Sequence, residues 1–100
     1  DFSVYLLRLS NKGDTLWSRT FGNNKYDIGR SVIQTKDSGF VLCGLSKIFE
    51  DNHEYNVYLV RTDANGDTLW TKTYGDSSSS VGSSIIKTTS GVFLFAGYKH

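Results

Sequence analysis

The sequence predicts an all-β protein made of two copies of a four-stranded antiparallel unit. Three observations carry that expectation. The pentapeptide Gly13-Asp14-Thr15-Leu16-Trp17 recurs unaltered as Gly66-Asp67-Thr68-Leu69-Trp70, 53 residues later. Turn-forming residues punctuate the chain at intervals of about 8–12 residues, the spacing of short antiparallel strands. β-branched and aromatic residues are plentiful, proline is absent, and no segment keeps the apolar period that would argue for a helix.

The rest of each copy follows the pentapeptide. Val4-Tyr5-Leu6-Leu7-Arg8 is answered by Val57-Tyr58-Leu59-Val60-Arg61, and Gly29-Arg30-Ser31-Val32-Ile33 by Gly82-Ser83-Ser84-Ile85-Ile86. Ser38-Gly39 is answered by Ser90-Gly91 at an offset of 52, and Gly44 by Gly97 at 53, so one turn is a residue shorter. The first strand is expected over residues 2–9 and again over 56–62. The loops Asn11-Lys12-Gly13 and Ala64-Asn65-Gly66 follow, each ending in a glycine that supplies positive φ for a hairpin. The second strand is expected over 14–21 and 67–74, the third over 29–35 and 82–88, and the fourth over 40–46 and 92–99.

The strands differ in pattern. Phe40-Val41-Leu42, Phe93-Leu94-Phe95, Tyr5-Leu6-Leu7 and Tyr58-Leu59-Val60 are continuous apolar runs, which suit strands covered on both faces. The third strand opens with small residues, Gly29 and Ser31, then Gly82, Ser83 and Ser84, as needed where sheets crowd together. Four-stranded sheets buried on both faces and repeating at about fifty residues describe the blades of a β-propeller. An eight-stranded sandwich of two sheets is the alternative.

Val57 to Trp70 is similar to blades of a bacterial β-propeller repeat family found in secreted and cell-surface proteins. Thr73-Tyr74-Gly75, Tyr26-Asp27-Ile28-Gly29 and Asp37-Ser38-Gly39-Phe40 extend the likeness over nearly the whole chain. The resemblance implies a half blade over 1–25, a complete blade over 26–74 and a half blade over 75–100. It implies an extracellular or cell-surface location, and it transfers no single activity. Since two blades cannot close a ring, other blades are the implied partners, from a longer chain or from copies joined head to tail.

Composition narrows the function classes. Eleven basic residues against ten acidic ones give a net charge of +1, no electrostatic reason to propose nucleic acid or an anionic membrane. No apolar run is long enough to span a bilayer as a helix. Neither a signal peptide nor an initiating Met is present, which points to a processed protein or a piece of something longer. Cys43 is the single cysteine, and with Ala96 as its counterpart it reads as a small core residue.

No catalytic constellation emerges, since His53 and His100 have no Ser, Cys or Asp partner at an arguable spacing. Asp63-Ala64-Asn65-Gly66-Asp67 resembles the start of a calcium loop, but the positions that need Gly and Glu hold Thr68 and Tyr74. Lys12 stands where the first copy would need a ligand, so this segment reads as a hairpin turn. It is also similar to the aspartate box of sialidase-type propellers and the tryptophan-docking repeat of quinoprotein dehydrogenases, with a different spacing. Trp17 and Trp70 could be platforms for a sugar or a flat cofactor. Their identical placement in each copy argues instead for staples between blades.

The longest polar stretch, Lys47 to Tyr55, carries Glu50, Asp51, His53 and Glu54, the candidate ligand-binding residues. No metal or cofactor is expected there, because no Cys or second His stands at ligand spacing. The expected function is a non-catalytic scaffold or binding module that presents loops to a protein or carbohydrate. The alternatives are part of a propeller enzyme with its catalytic residues elsewhere, quinoprotein-like or glycan-processing, and a self-assembling structural unit without ligand.

Overall fold

The computed structural model describes residues 3–22, 26–47, 56–74, 80–87 and 93–99. They form eight strands: β1 (Val4–Leu9), β2 (Thr15–Phe21), β3 (Tyr26–Gln34), β4 (Phe40–Lys47), β5 (Asn56–Thr62), β6 (Thr68–Tyr74), β7 (Ser80–Lys87) and β8 (Phe93–Lys99). There is no helix among the described residues. The strands are divided among three antiparallel sheets, β1-β2, β3-β4-β5-β6 and β7-β8, and no sheet closes on itself. A two-sheet sandwich is therefore not the arrangement formed.

The internal repeat is a repeat of register. Val4 pairs with Phe21 and Leu9 with Thr15, as Val57 pairs with Tyr74 and Thr62 with Thr68. Gly29 pairs with Gly44 and Ser31 with Cys43, as Gly82 pairs with Gly97 and Ser84 with Ala96. The irregularities recur too. Leu16 and Leu69 are the extra residues of equivalent bulges opposite β1 and β5, and Arg30 and Ser83 those of bulges in β3 and β7.

β3 begins at Tyr26 and β7 at Ser80, earlier than the small residues that were expected to open them. The bulge accounts for the difference: it sits beside Gly29, so pairing runs on both sides of the glycine. At Gly44 an added Cβ would lie 1.9 Å from the Ile28 carbonyl oxygen, which reserves that position for glycine. At Gly29 it would lie 2.9 Å from Val4 Cγ1 on the neighbouring sheet, the crowding that small residues signal.

The three sheets stack through two apolar clusters. Val4 and Phe21 from the first sheet pack with Leu42, Tyr58 and Val60 from the four-stranded sheet, with Leu6 and Phe40 at the margin. The opposite face of the four-stranded sheet supplies Val41, Cys43, Val57 and Leu59, which pack with Ile85 of β7, with Ile33, Trp70 and Phe93 at the margin. β4 is buried along nearly its whole length and β5 over Val57–Val60, as continuous apolar runs require when both faces are covered.

β1 departs from that expectation. Its inward residues are buried or half-buried, while Tyr5, Leu7 and Leu9 are exposed. An apolar run marks a strand able to be covered twice, but cover also needs a neighbouring sheet, and none of the described sheets lies beyond β1-β2.

Candidate functional site

The antiparallel order places the β3–β4 and β5–β6 turns at one end of the four-stranded sheet and the β4–β5 connection at the other. The β1–β2 turn lies at the first of these ends, because Leu9 lines the same groove as Gln34 and Phe40.

At that turn end the polar groups serve the backbone. Asp63 Oδ1 accepts from the amides of Asn65 (2.9 Å) and Asp67 (3.0 Å). Ser10 Oγ does the same for Lys12 (3.2 Å) and Asp14 (3.1 Å). These are two copies of one side-chain-closed turn, with Gly13 and Gly66 at positive φ. The third turn is closed by Asp37, whose carboxylate accepts from the Thr35 hydroxyl and the Gly39 amide and pairs with Arg61 at 3.2 Å. The Thr35 hydroxyl, then the Gly39 amide, and Arg61 hold the Asp37 carboxyl below the usual carboxylate range. Ser38 takes the left-handed conformation here, and Gly39 is needed because a Cβ would lie 2.2 Å from the Thr62 carbonyl oxygen.

Trp17 and Trp70 sit between sheets, both half-buried. Trp17 meets the edge of Phe40 with ring centroids 5.7 Å apart, and Arg8 stands 5.6 Å over the same Phe40 ring. Trp70 packs at the margin of the second cluster, as does Phe93, over which Arg61 stands at 5.7 Å. The trio Arg8, Trp17 and Phe40 thus corresponds to Arg61, Trp70 and Phe93 at the repeat offset. Arg19 ties the turn of one repeat to the other, with Nε 3.4 Å from Asp67.

The opposite end has a different chemistry. Asp27 is 1% exposed and pairs in register with Ser46, which is also buried. Lys47 is buried, with Nζ 5.2 Å from the Tyr26 ring centroid. Gly22 turns the chain at positive φ directly against the Asp27 carboxylate, where a Cβ would lie 2.5 Å from Oδ2. Burial, together with the charge of Asp27, pushes the Tyr58 phenol up. Asp27, Ser46 and Lys47 do not recur: their equivalents are Ser80, Lys99 and His100. Reasoning from sequence made none of the three a site residue, although their departure from the repeat was the signal that could have found them.

Glu50, Asp51, His53 and Glu54 lie outside the described residues, in the connection that leaves Lys47 and re-enters at Asn56. Among the described residues no three His, Cys, Asp or Glu side chains are grouped to hold a metal ion. Cys43 is fully buried, and burial raises its thiol above the ordinary range, so the group sits in the core as an apolar side chain. No helix among the described residues is long and apolar enough to cross a membrane. No protein-family model matches the chain, and no curated protein matches it.

Proposed function

We propose that the chain is a non-catalytic β-propeller segment, a scaffold that presents the connections at one end of its sheets to a protein or carbohydrate ligand outside the cell or at a bacterial surface. The observation that carries this reading is the division between the two ends. Repeated polar groups close turns at one end, while the non-repeating Asp27, Ser46 and Lys47 gather at the other, where the acidic connection 48–55 emerges. Rigid stacked strands with variable connections at one end are a common way to hold a recognition surface. The blade reading is supported by sheet limits that fall at residues 4–21, 26–74 and 80–99, and by the Arg8–Phe40 contact between sheets, which recurs as Arg61–Phe93.

The test is a binding screen of the whole chain against arrayed oligosaccharides and peptides, repeated with Glu50, Asp51, His53 and Glu54 all changed to alanine. The reading expects a bound member whose binding is lost in the variant while the melting temperature is unchanged. No binding at all, or binding indifferent to the four substitutions, would overturn it. Turnover of a bound sugar would favour an enzyme instead.

A further inference from the structure

We propose that a second copy of this chain docks edge to edge on the first, its β1 pairing with β8 in the register that β4 and β5 already use. The proposal rests on the blade reading and adds to it the partner, the edge and the alignment.

Three observations lead there. The first is topological. β1-β2 repeats the strands β5-β6, and β7-β8 repeats β3-β4, so the two outer sheets are complementary halves of the middle one. Among the described residues β8 pairs only with β7 and β1 only with β2, and their other edges correspond to the joined edges of β4 and β5. A free strand edge is a template for another strand.

The second is exposure compared position by position. Val32 is 47% exposed, whereas its equivalent Ile85 is 3% exposed in the second cluster. Tyr5, Leu7 and Leu9 are exposed, whereas Tyr58, Val60 and Thr62 are buried. Leu94 and Tyr74 are exposed, whereas Val41 and Phe21 are buried. Among the described residues, Leu16 and Leu69 are the one equivalent pair of large apolar side chains exposed in both copies, and these are the bulge residues, so their exposure belongs to the unit itself. The other exposed apolar side chains lie where a neighbouring unit covers the equivalent residue.

The third is shape. Two grooves, of about 400 and 250 Å³, run along the free edge of β1 over the face of β3 and β4. Their floor includes Val32, Leu42 and Phe40. In the second inter-sheet contact the corresponding face, that of β7, lies under β3 and β4. The grooves are where the β7-β8 hairpin of another copy would lie.

Carrying the β4–β5 register across gives the alignment. Phe40↔Thr62, Val41↔Arg61 and Ser46↔Asn56 become Phe93↔Leu9, Leu94↔Arg8 and Lys99↔Ser3 between copies. Leu94 of one copy then comes over Val32 of the other, as Val41 and Ile85 share one cluster within the chain. The contact is head to tail and each copy adds two sheets, so a ring closed by repeating it holds an even number of sheets.

The test uses the whole chain in a Cys43→Ala background, which copies the natural residue of the second repeat. Sedimentation across a concentration series is expected to show association. A chain carrying Arg8→Cys is then mixed with one carrying Leu94→Cys, and Ser3→Cys with Lys99→Cys, under mild oxidation. The matched mixtures are expected to form the mixed disulfide roughly tenfold faster than the mismatched mixture of Ser3→Cys with Leu94→Cys, since only aligned positions bring the thiols within bridging distance. A monomer at every concentration, or equal rates for matched and mismatched mixtures, overturns the proposal. Either result leaves the blade reading to be judged separately, by the paired core substitutions described below for a single chain.

Discussion

The two contacts between sheets share equivalent residues, Val4 with Val57, Leu6 with Leu59 and Phe40 with Phe93, yet they are finished to different degrees. In the first, Val4 and Phe21 meet Leu42, Tyr58 and Val60, while Val32 beside them stays exposed. In the second, Val57 and Leu59 meet Ile85, the equivalent of Val32, with β3 and β4 lying over it. The core positions are apolar in both halves, Val4 with Val57, Leu6 with Leu59 and Val32 with Ile85, so the difference comes from the number of strands that stand opposite. Burial in this protein is a property of what a sheet is stacked on, more than of the residue placed there.

The largest effect that would break the comparison is truncation at its best-covered point. Leu59→Ala should cost about 2–5 kcal/mol in urea denaturation, because it empties a closed cluster. Leu6→Ala, the same position in a more open contact, should cost clearly less. Equal losses would show that the two contacts are not finished differently.

The matched turns come next. Asp63→Ala and Ser10→Ala each release two backbone amides, and each should cost about 1 kcal/mol. Melting curves should not shift with calcium in either the natural chain or Asp63→Ala. Calcium stabilisation that vanished in Asp63→Ala would make that loop a metal site after all.

A pH series sharpens the contrast at the other end. The Tyr58 phenol ionises at a higher pH in the folded chain than in the unfolded one. Its contribution is therefore whole below the ordinary phenol value, about 10, and is lost as pH rises through the folded value. Tyr58→Phe in the Cys43→Ala background should flatten the alkaline fall of the urea midpoint, and Asp27→Asn should make the phenol ionise at lower pH. An unchanged phenolate titration in Asp27→Asn would remove the electrostatic link between these residues.

The smallest expected effect belongs to the bulges. Leu16→Ser and Leu69→Ser should each change stability by no more than about 0.5 kcal/mol, since both side chains are exposed in both copies. A large loss at only one of them would break the equivalence of the two hairpins.

Much of this architecture was legible in the sequence because a repeat carries register with it. Once Gly13–Trp17 and Gly66–Trp70 are aligned, the hairpins and their glycines follow, and β5 is found at its observed limits. What could not be read was set by distance. The apolar run Tyr5-Leu6-Leu7 looks like Tyr58-Leu59-Val60, and no local pattern tells that the first lacks a sheet on one side. The bulges at Leu16 and Arg30 leave no trace in periodicity, so β3 was expected to begin at Gly29 when it begins at Tyr26. At the candidate site, loop charge drew attention to Glu50, Asp51, His53 and Glu54. Of the buried residues beside that loop, Asp27 and Lys47 fell just outside the expected strands and Ser46 at the end of one, so no local pattern marked their burial.

The most direct test of the account is a matched pair at one position of the repeat, Ile85→Ala and Val32→Ala, measured by urea denaturation at the lowest workable concentration. The account predicts a loss of about 2–5 kcal/mol for Ile85→Ala and no more than about 0.5 kcal/mol for Val32→Ala. Equal costs for the two would contradict it, because the stacked sheets would then not be what makes equivalent residues differ.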